Sequence, residues 1–281
     1  MTQPDATWVP RLVALDIDGT LLKWVEGEGT THEEVAGPVH DAIHRALAAG
    51  AHVVLASGRS PHDMTTIADL LDLHGHEQER LWVVASNGAV IFRYLPGGEA
   101  EIVHEDVFDA APAVRAILEL RPDARVAVED RGRGYRVTSP FPDGELAGEM
   151  VTADVEDLVA HPVSRVIIRD PDATADDFVA LAADLGLHGT DYVVGWTAWL
   201  DLTPVGVSKA SGLQHVCDEL GLSAADALAI GDGRNDLEML AWARRGVAMG
   251  QAVEEVRAAA DAVTETVYDD GVAVELGRWF P

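Results

Sequence analysis

The sequence predicts an α/β protein in which a doubly wound parallel sheet is interrupted by an inserted α+β domain. Three observations predict it. Short apolar runs alternate with helical patterns at both ends of the chain, the signature of a parallel sheet covered by helices. The texture changes after Gly88, where strands of mixed polarity and many turn signals take over, and changes back near residue 195. The length of 281 residues also exceeds the usual size of one domain.

The elements follow in order. Arg11–Ile17 reads as a buried strand. Over Pro38–Ala49, Val39, Ala42, Ile43 and Ala46 recur at helical spacing, and Gly50 is a stop signal. The strand His52–Ala56 comes next. The following helix has Ser60 as N-cap, Pro61 at its first position and Asp63 in its first turn, with Met64, Ile67, Ala68 and Leu71 facing inward. Leu81–Ala85 is a third strand, ending at Ser86-Asn87-Gly88. Beyond it, Val90–Tyr94, Arg125–Glu129, Tyr135–Thr138 and Val163–Arg169 read as strands, and Ala110–Leu120 and Ala175–Leu187 as helices. Pro96-Gly97-Gly98 and Pro142-Asp143-Gly144 mark turns between them. A helix over Lys209–Leu220 stops at Gly221; the strand Ala227–Ile230 then runs into Gly231-Asp232-Gly233-Arg234-Asn235-Asp236 and a helix through Leu237–Ala243.

Composition narrows the function. With 48% hydrophobic and 24% charged residues the chain is globular. Its net charge is −28, from 48 acidic and 20 basic side chains, of which only Lys23 and Lys209 are lysines. Such a surface repels nucleic acid and acidic membranes, and it fits a need for solubility or a salt-adapted source. An anionic substrate would need a positive field supplied by a metal, a placed lysine and helix N-termini. The single cysteine, Cys217, allows no intramolecular disulfide and sits on an apolar helical stripe, so a buried inert thiol is expected. MTQPDATWVPR has no basic segment followed by an apolar stretch, and no apolar run approaches the roughly 20 residues of a membrane span. A soluble, cytoplasmic protein is expected. Neither His40 with His44 nor His74 with His76 has the further ligands of a zinc site.

Three strands run directly into polar residues: Asp16-Ile17-Asp18-Gly19-Thr20, Ser57-Gly58-Arg59, and Asp232 through Asp236. In open, Rossmann-like sheets ligands bind beyond the carboxyl ends of the strands, so these groups should meet at one edge. Asp16, Asp18, Asp232 and Asp236 gathered there would repel one another without a cation. An all-oxygen set suits Mg²⁺, which keeps several waters and bridges carboxylate to phosphate. Ser57 and the Gly58 amide stand at a helix start suited to phosphate, and Lys209 can balance phosphate and carboxylate together. Any one of these acids alone could instead cap a helix.

Together these residues resemble the haloacid-dehalogenase superfamily of phosphohydrolases, its Cof-like branch in particular. The motifs are Asp16-Ile17-Asp18-Gly19-Thr20-Leu21-Leu22, Ser57-Gly58-Arg59, Lys209 and Gly231-Asp232-Gly233-Arg234-Asn235-Asp236, with Ser86-Asn87-Gly88-Ala89 and Val247-Ala248-Met249-Gly250 in support. The resemblance implies a catalytic core over 1–88 and 195–281 and an inserted α+β cap over 89–194. It implies that Asp16 is the nucleophile and forms an aspartyl-phosphate, and that Asp18 is the general acid and base. Mg²⁺ would be held by Asp16, the Asp18 backbone carbonyl and Asp232, with Asn235 and Asp236 in or beside the shell. Ser57, Gly58, Lys209 and Asn235 would hold the phosphoryl group of a small phosphate ester, a sugar phosphate before others. Glu129, Arg133, Arg136 and Arg169 are possible cap contacts. The rival readings are a phosphomutase, a phosphatase for nucleotide or flavin phosphates, and an inactive binding protein on the same fold. The connection Lys23–Gly37 is longer and more acidic than the family pattern suggests.

Overall fold

The structure is a computed structural model. It describes residues 8–25, 29–30, 34–72, 80–130, 134–142, 145–146, 148–170, 172–174, 177–178, 190–194 and 199–281. Outside them lie most of the expected helix 175–187, the turn at 143–144, the pair His74 and His76, Arg133, and parts of the connection 23–37.

The chain opens with β1 (Leu12–Leu15), a short antiparallel pair β2 (Trp24–Val25) and β3 (Gly29–Thr30), α1 (Gly37–Ala48), β4 (His52–Ala56), α2 (Pro61–Asp69) and β5 (Leu81–Ala85). It continues with β6 (Val90–Tyr94), β7 (Glu101–Glu105), α3 (Ala111–Leu120), β8 (Arg125–Asp130), β9 (Gly134–Val137), β10 (Glu149–Thr152), α4 (Val155–Leu158), β11 (Val166–Arg169), β12 (Thr190–Val194) and β13 (Trp199–Pro204). The last part holds α5 (Lys209–Leu220), β14 (Ala227–Gly231), α6 (Leu237–Trp242), β15 (Arg245–Ala248), α7 (Glu254–Ala259), β16 (Ala262–Val263) and α8 (Gly271–Leu276).

An eight-stranded sheet orders its strands β16-β15-β14-β1-β4-β5-β6-β7. All its pairings are parallel as far as β5, and β6 and β7 run antiparallel. Strand alternation divides its apolar side chains between two layers. Val13, Leu15, Val53 and Leu55 pack with Val39, Ile43, Ile67 and Leu276 on one face. Leu12, Ala14, Val54 and Ala229 pack with Leu213, Val216, Met239 and Val256 on the other. Helices thus cover both faces, which is the doubly wound arrangement. Burial on both faces explains why the central strands read as unbroken apolar runs.

A second sheet of six strands, order β10-β9-β8-β11-β13-β12, is antiparallel except for β9 with β10. One of its faces is covered by α3 and α4 through Val114, Ile117 and Leu158 against Val126, Val128, Val166, Ile168, Leu200 and Leu202. The opposite face carries Ala127, Tyr135, Val137 and Ile167, and by the same alternation Glu129 and Asp201.

Sheet membership does not coincide with the division expected at 88/89 and 194/195. β6 and β7 extend the first sheet as antiparallel edge strands, and β13 belongs to the second sheet. The mixed polarity that suggested a new domain at Val90 is that of an edge hairpin, whose outer strand β7 is partly exposed. Among the described residues, no helix is long and apolar enough to cross a membrane. Cys217 is fully buried and burial pushes its thiol up to about 11, as expected for an inert side chain.

Candidate active site

Register brings the distant motifs together. β1 lies between β14 and β4, with Leu15 opposite both Ile230 and Leu55. The residues that leave these strands, Asp16, Gly231-Asp232 and Ala56-Ser57, therefore emerge side by side. The Asp16 amide donates to the Ile230 carbonyl at 3.0 Å, carrying the ladder one residue further. Asp16 and Asp232 meet because three apolar strands align.

Lys209 reaches the same point from α5, whose N-terminus is fixed by the Ser208–Ser211 capping box. Close approach of this helix to the sheet depends on glycine: a Cβ on Gly212 would stand 2.5 Å from Val84 Cγ1, and one on Gly88 would stand 2.1 Å from the Ser208 carbonyl oxygen. The lysine is buried, and its Nζ donates to Asp16 Oδ1 and Asp236 Oδ1, both at 2.6 Å. It is no surface lysine. Burial pulls its ammonium down, but the two carboxylates outweigh that pull and the net shift is upward.

Asp16, Asp232 and Asp236 place carboxylate oxygens within 4.8 Å of one another. Burial and the charge of Asp236 push the Asp16 carboxyl up to about 7, against the opposing pull of Lys209. Asp232 is raised well above the usual carboxylate range by burial and by the charges of Asp16 and Asp236, against the pull of Lys209. Such shifts mark carboxylates short of positive charge. The buried all-oxygen donor set and its surplus of negative charge both fit a hard divalent cation.

The three acids are not equivalent. Asp236 Oδ2 accepts from the amides of Asp232 and Gly233, each at 2.9 Å, while Oδ1 accepts from Lys209. Both its oxygens are engaged, so Asp236 shapes the loop and aims the lysine, and Asp16 and Asp232 have the freer oxygens. Glycine is required nearby: Gly19 has φ +82°, and a Cβ there would lie 2.1 Å from Asp232 Oδ2. Gln251 adds support through Nε2, which donates to the Gly19 carbonyl at 2.5 Å and stands 3.5 Å from Asp232 Oδ2.

The Asp18 carboxylate stands outside this cluster. Arg59 grips it bidentately, Nε to Oδ2 at 2.8 Å and Nη2 to Oδ1 at 2.6 Å. Ser60 caps α2 as expected, accepting from the Asp63 amide at 3.3 Å, and Ser57 Oγ accepts from the Arg59 amide at 3.2 Å. Asn235 does not reach out alone, since its Nδ2 donates to Asn87 Oδ1 at 3.1 Å.

Asn87 was quoted above only within a motif, and its place is more central than that. Ser86, Asn87 and Gly88 have φ of +51°, +53° and +107°, three consecutive left-handed residues, all buried. Non-glycine residues in this region are uncommon and cost free energy. The turn is held from both sides: the Ser86 amide donates to the Arg59 carbonyl at 2.8 Å and the Asn87 amide to the Ser57 carbonyl at 3.0 Å. Asparagine beside glycine was the only sequence signal for it. For Arg59 and Gln251 no local signal existed, because each acts through a residue distant in sequence.

Known proteins resemble this chain over nearly its whole length. A family model described as haloacid dehalogenase-like hydrolase matches residues 13–276. The chain is 32% identical over 266 residues to a phosphoglycolate phosphatase of Natronomonas pharaonis, covering 95% of this chain and 96% of that protein. It is 26% identical to the phosphatase YwpJ of Bacillus subtilis, covering 94% and 97%. Among solved structures, the phosphatase BT1666 of Bacteroides thetaiotaomicron superposes with a TM-score of 0.74 at 28% identity, covering 99% and 98%. The subclass IIB sugar phosphatase BT4131 superposes with a TM-score of 0.78 at 24% identity, covering 96% and 98%, a likeness of fold.

Proposed function

The chain belongs to the haloacid dehalogenase-like hydrolases, and from that premise we propose that it is a magnesium-dependent phosphatase that cleaves a small phosphate ester through an aspartyl-phosphate on Asp16. The observation that carries this reading is the buried Lys209 ammonium joining Asp16 to Asp236 beside Asp232. A scaffold has no use for three buried carboxylates around one lysine, whereas phosphoryl transfer consists largely of positioning and charge neutralisation.

An Asp16 oxygen attacks phosphorus as the bond to the leaving oxygen breaks. Asp18 gives a proton to that oxygen, then takes one from the water that attacks the phosphoenzyme, so phosphate departs and Asp16 is restored. Lys209 balances Asp16 and the phosphoryl oxygens, and Asp236 aims the lysine. Ser57 and the Gly58 amide receive phosphoryl oxygens at the start of α2. Asn235, through Asn87, braces the loop opposite. Asp16 and Asp232 would hold Mg²⁺, with the Asp18 backbone carbonyl beside them; the ion supplies charge neutralisation across the carboxylates and the phosphoryl group. Arg59 holds the Asp18 carboxylate outside the cluster, and Asp18 acts as the acid once it leaves that pair and takes up a proton. The second sheet acts as the cap, excluding water and selecting the leaving group. Sugar phosphates are the first candidates; phosphoglycolate enters the panel because a relative carries that name.

Release of inorganic phosphate from nitrophenyl phosphate tests the reading. Asp16→Asn should lower kcat by at least about a thousandfold with the fold intact by circular dichroism. A chelator should stop turnover and added Mg²⁺ restore it. Undiminished release from the Asn variant would refute the nucleophile assignment, and turnover indifferent to chelation would remove the metal.

A further inference from the structure

The second sheet meets the core through polar contacts, and one atom there is left over. The Ser86 hydroxyl donates to Glu129 Oε2 at 2.6 Å, and Asn87 Nδ2 stands 3.4 Å from Asp201 Oδ2. Behind them Arg165 holds both oxygens of Asp201, at 2.8 and 3.1 Å, and its Nη1 stands 3.3 Å from the Tyr135 hydroxyl. All are buried. Glu129 Oε1 is also buried, and among the described residues it has no hydrogen-bond partner.

A buried carboxyl oxygen left without a hydrogen bond is costly, so such an oxygen calls for a donor or acceptor from elsewhere. Its place says which. Glu129 hangs from Ser86, whose amide is bonded to Arg59, and the next residue, Asn87, is bonded to Ser57. A leaving group attached to a phosphate at Ser57 and Gly58 would emerge beside this turn and meet Glu129. The charge of the surface says more. It presents two carboxyls, Glu129 and Asp201, and its arginine is committed to Asp201. An anionic leaving group would face acid with no uncommitted cation among these residues, whereas a hydroxyl can bond to a carboxyl in either protonation state.

We infer that Glu129 is a specificity residue, hydrogen-bonding a hydroxyl of a neutral, hydroxyl-bearing leaving group through Oε1 and selecting it over a carboxylate-bearing one. The inference rests on the phosphatase reading above and adds to it the residue that reads the alcohol. Ser86 holds Glu129 in position for this, and the paired Arg165 and Asp201 wall the surface behind it.

The test compares kcat/KM for a hexose phosphate, phosphoglycolate and nitrophenyl phosphate in the wild-type protein, Glu129→Ala and Ser86→Ala. The wild type should favour the hexose phosphate over phosphoglycolate. In Glu129→Ala the ratio of hexose phosphate to nitrophenyl phosphate should fall about 10- to 100-fold, the range of a lost hydrogen bond to a carboxylate. In Ser86→Ala, which loosens Glu129 without removing it, the ratio should fall less. If Glu129→Ala does not fold, Glu129→Leu keeps the bulk without the oxygens and should show the same fall. An unchanged ratio, equal falls in the two alanine variants, or a wild-type preference for phosphoglycolate would each overturn the inference. Should the wild type hydrolyse none of the three, the phosphatase reading falls instead, and calorimetry decides about Glu129 alone. Hexose phosphate should then bind about tenfold more weakly to Glu129→Ala, and an equal Kd sinks the assignment.

Discussion

The core and the second sheet each bury acids around a single base, but they do so differently. At the core edge, Asp16, Asp232 and Asp236 converge on Lys209 from strand ends and a helix N-terminus, and Asp236 is further held by two loop amides. On the second sheet, Glu129 and Asp201 lie on strand faces, Asp201 is fully paired with Arg165, and Glu129 retains a bare oxygen. At the strand ends negative charge is left in surplus, three carboxylates against one ammonium. A strand face is a surface that closes on something, and its charges are paired except where it must read what it covers.

The largest break in this comparison should come from Lys209→Met. Removing the lysine leaves two carboxylates buried without their partner, and breaking a buried pair costs about 3–5 kcal/mol. Denaturant unfolding measures it, and Mg²⁺ should recover part of the loss if Asp16 and Asp232 take the ion. A smaller effect is expected where the two regions touch. Asn87→Ala removes the bonds to Asn235 and Asp201 and keeps the strained φ, for a loss of about 1–3 kcal/mol. Asn87→Gly removes the same bonds and relieves the strain, so the difference between the two variants isolates the backbone cost.

The subtlest test is a slope. Burial, opposed by Arg165 and the Ser86 bond and assisted by Asp63 and Glu105, pushes the Glu129 carboxyl from its ordinary 4.5 up to about 7. The folded protein therefore holds a proton that the unfolded chain has released. The stability Glu129 contributes is complete below about 4.5 and is lost as pH rises towards 7. Glu129→Gln cannot titrate, so the gap in unfolding free energy between the two proteins should vary with pH over that interval and flatten above it. Asp16 and Asp232 affect both proteins alike and cancel in the difference. A gap that does not change with pH would mean that the Glu129 carboxyl titrates normally.

Much of the core was legible. His52–Ala56, Leu81–Ala85 and Lys209–Leu220 form the elements expected, because apolar runs and a terminal glycine are local signals. The site residues on strand ends were legible for the same reason, since a strand running into Asp-x-Asp or Gly-Asp announces its own edge. Trp199–Pro204 was harder. Its Asp201 interrupts an otherwise apolar strand, and nothing nearby in sequence indicates that Arg165 is the partner that makes this acceptable. The unequal roles of Asp16, Asp232 and Asp236 were equally invisible, because they depend on which oxygens the loop amides and Lys209 occupy.

By itself, then, the sequence determined the alternation of elements, the doubly wound core, and the set of acids and the one lysine that gather at its edge. Periodicity and strand register are local, and local interactions are written in neighbouring residues. Tertiary structure alone decided that β6 and β7 join the first sheet, that Arg59 grips Asp18, and that Glu129 leans on Ser86 with an oxygen to spare. Those outcomes depend on pairings between residues tens of positions apart, where hydrogen-bond geometry and burial are settled only once the whole chain has packed.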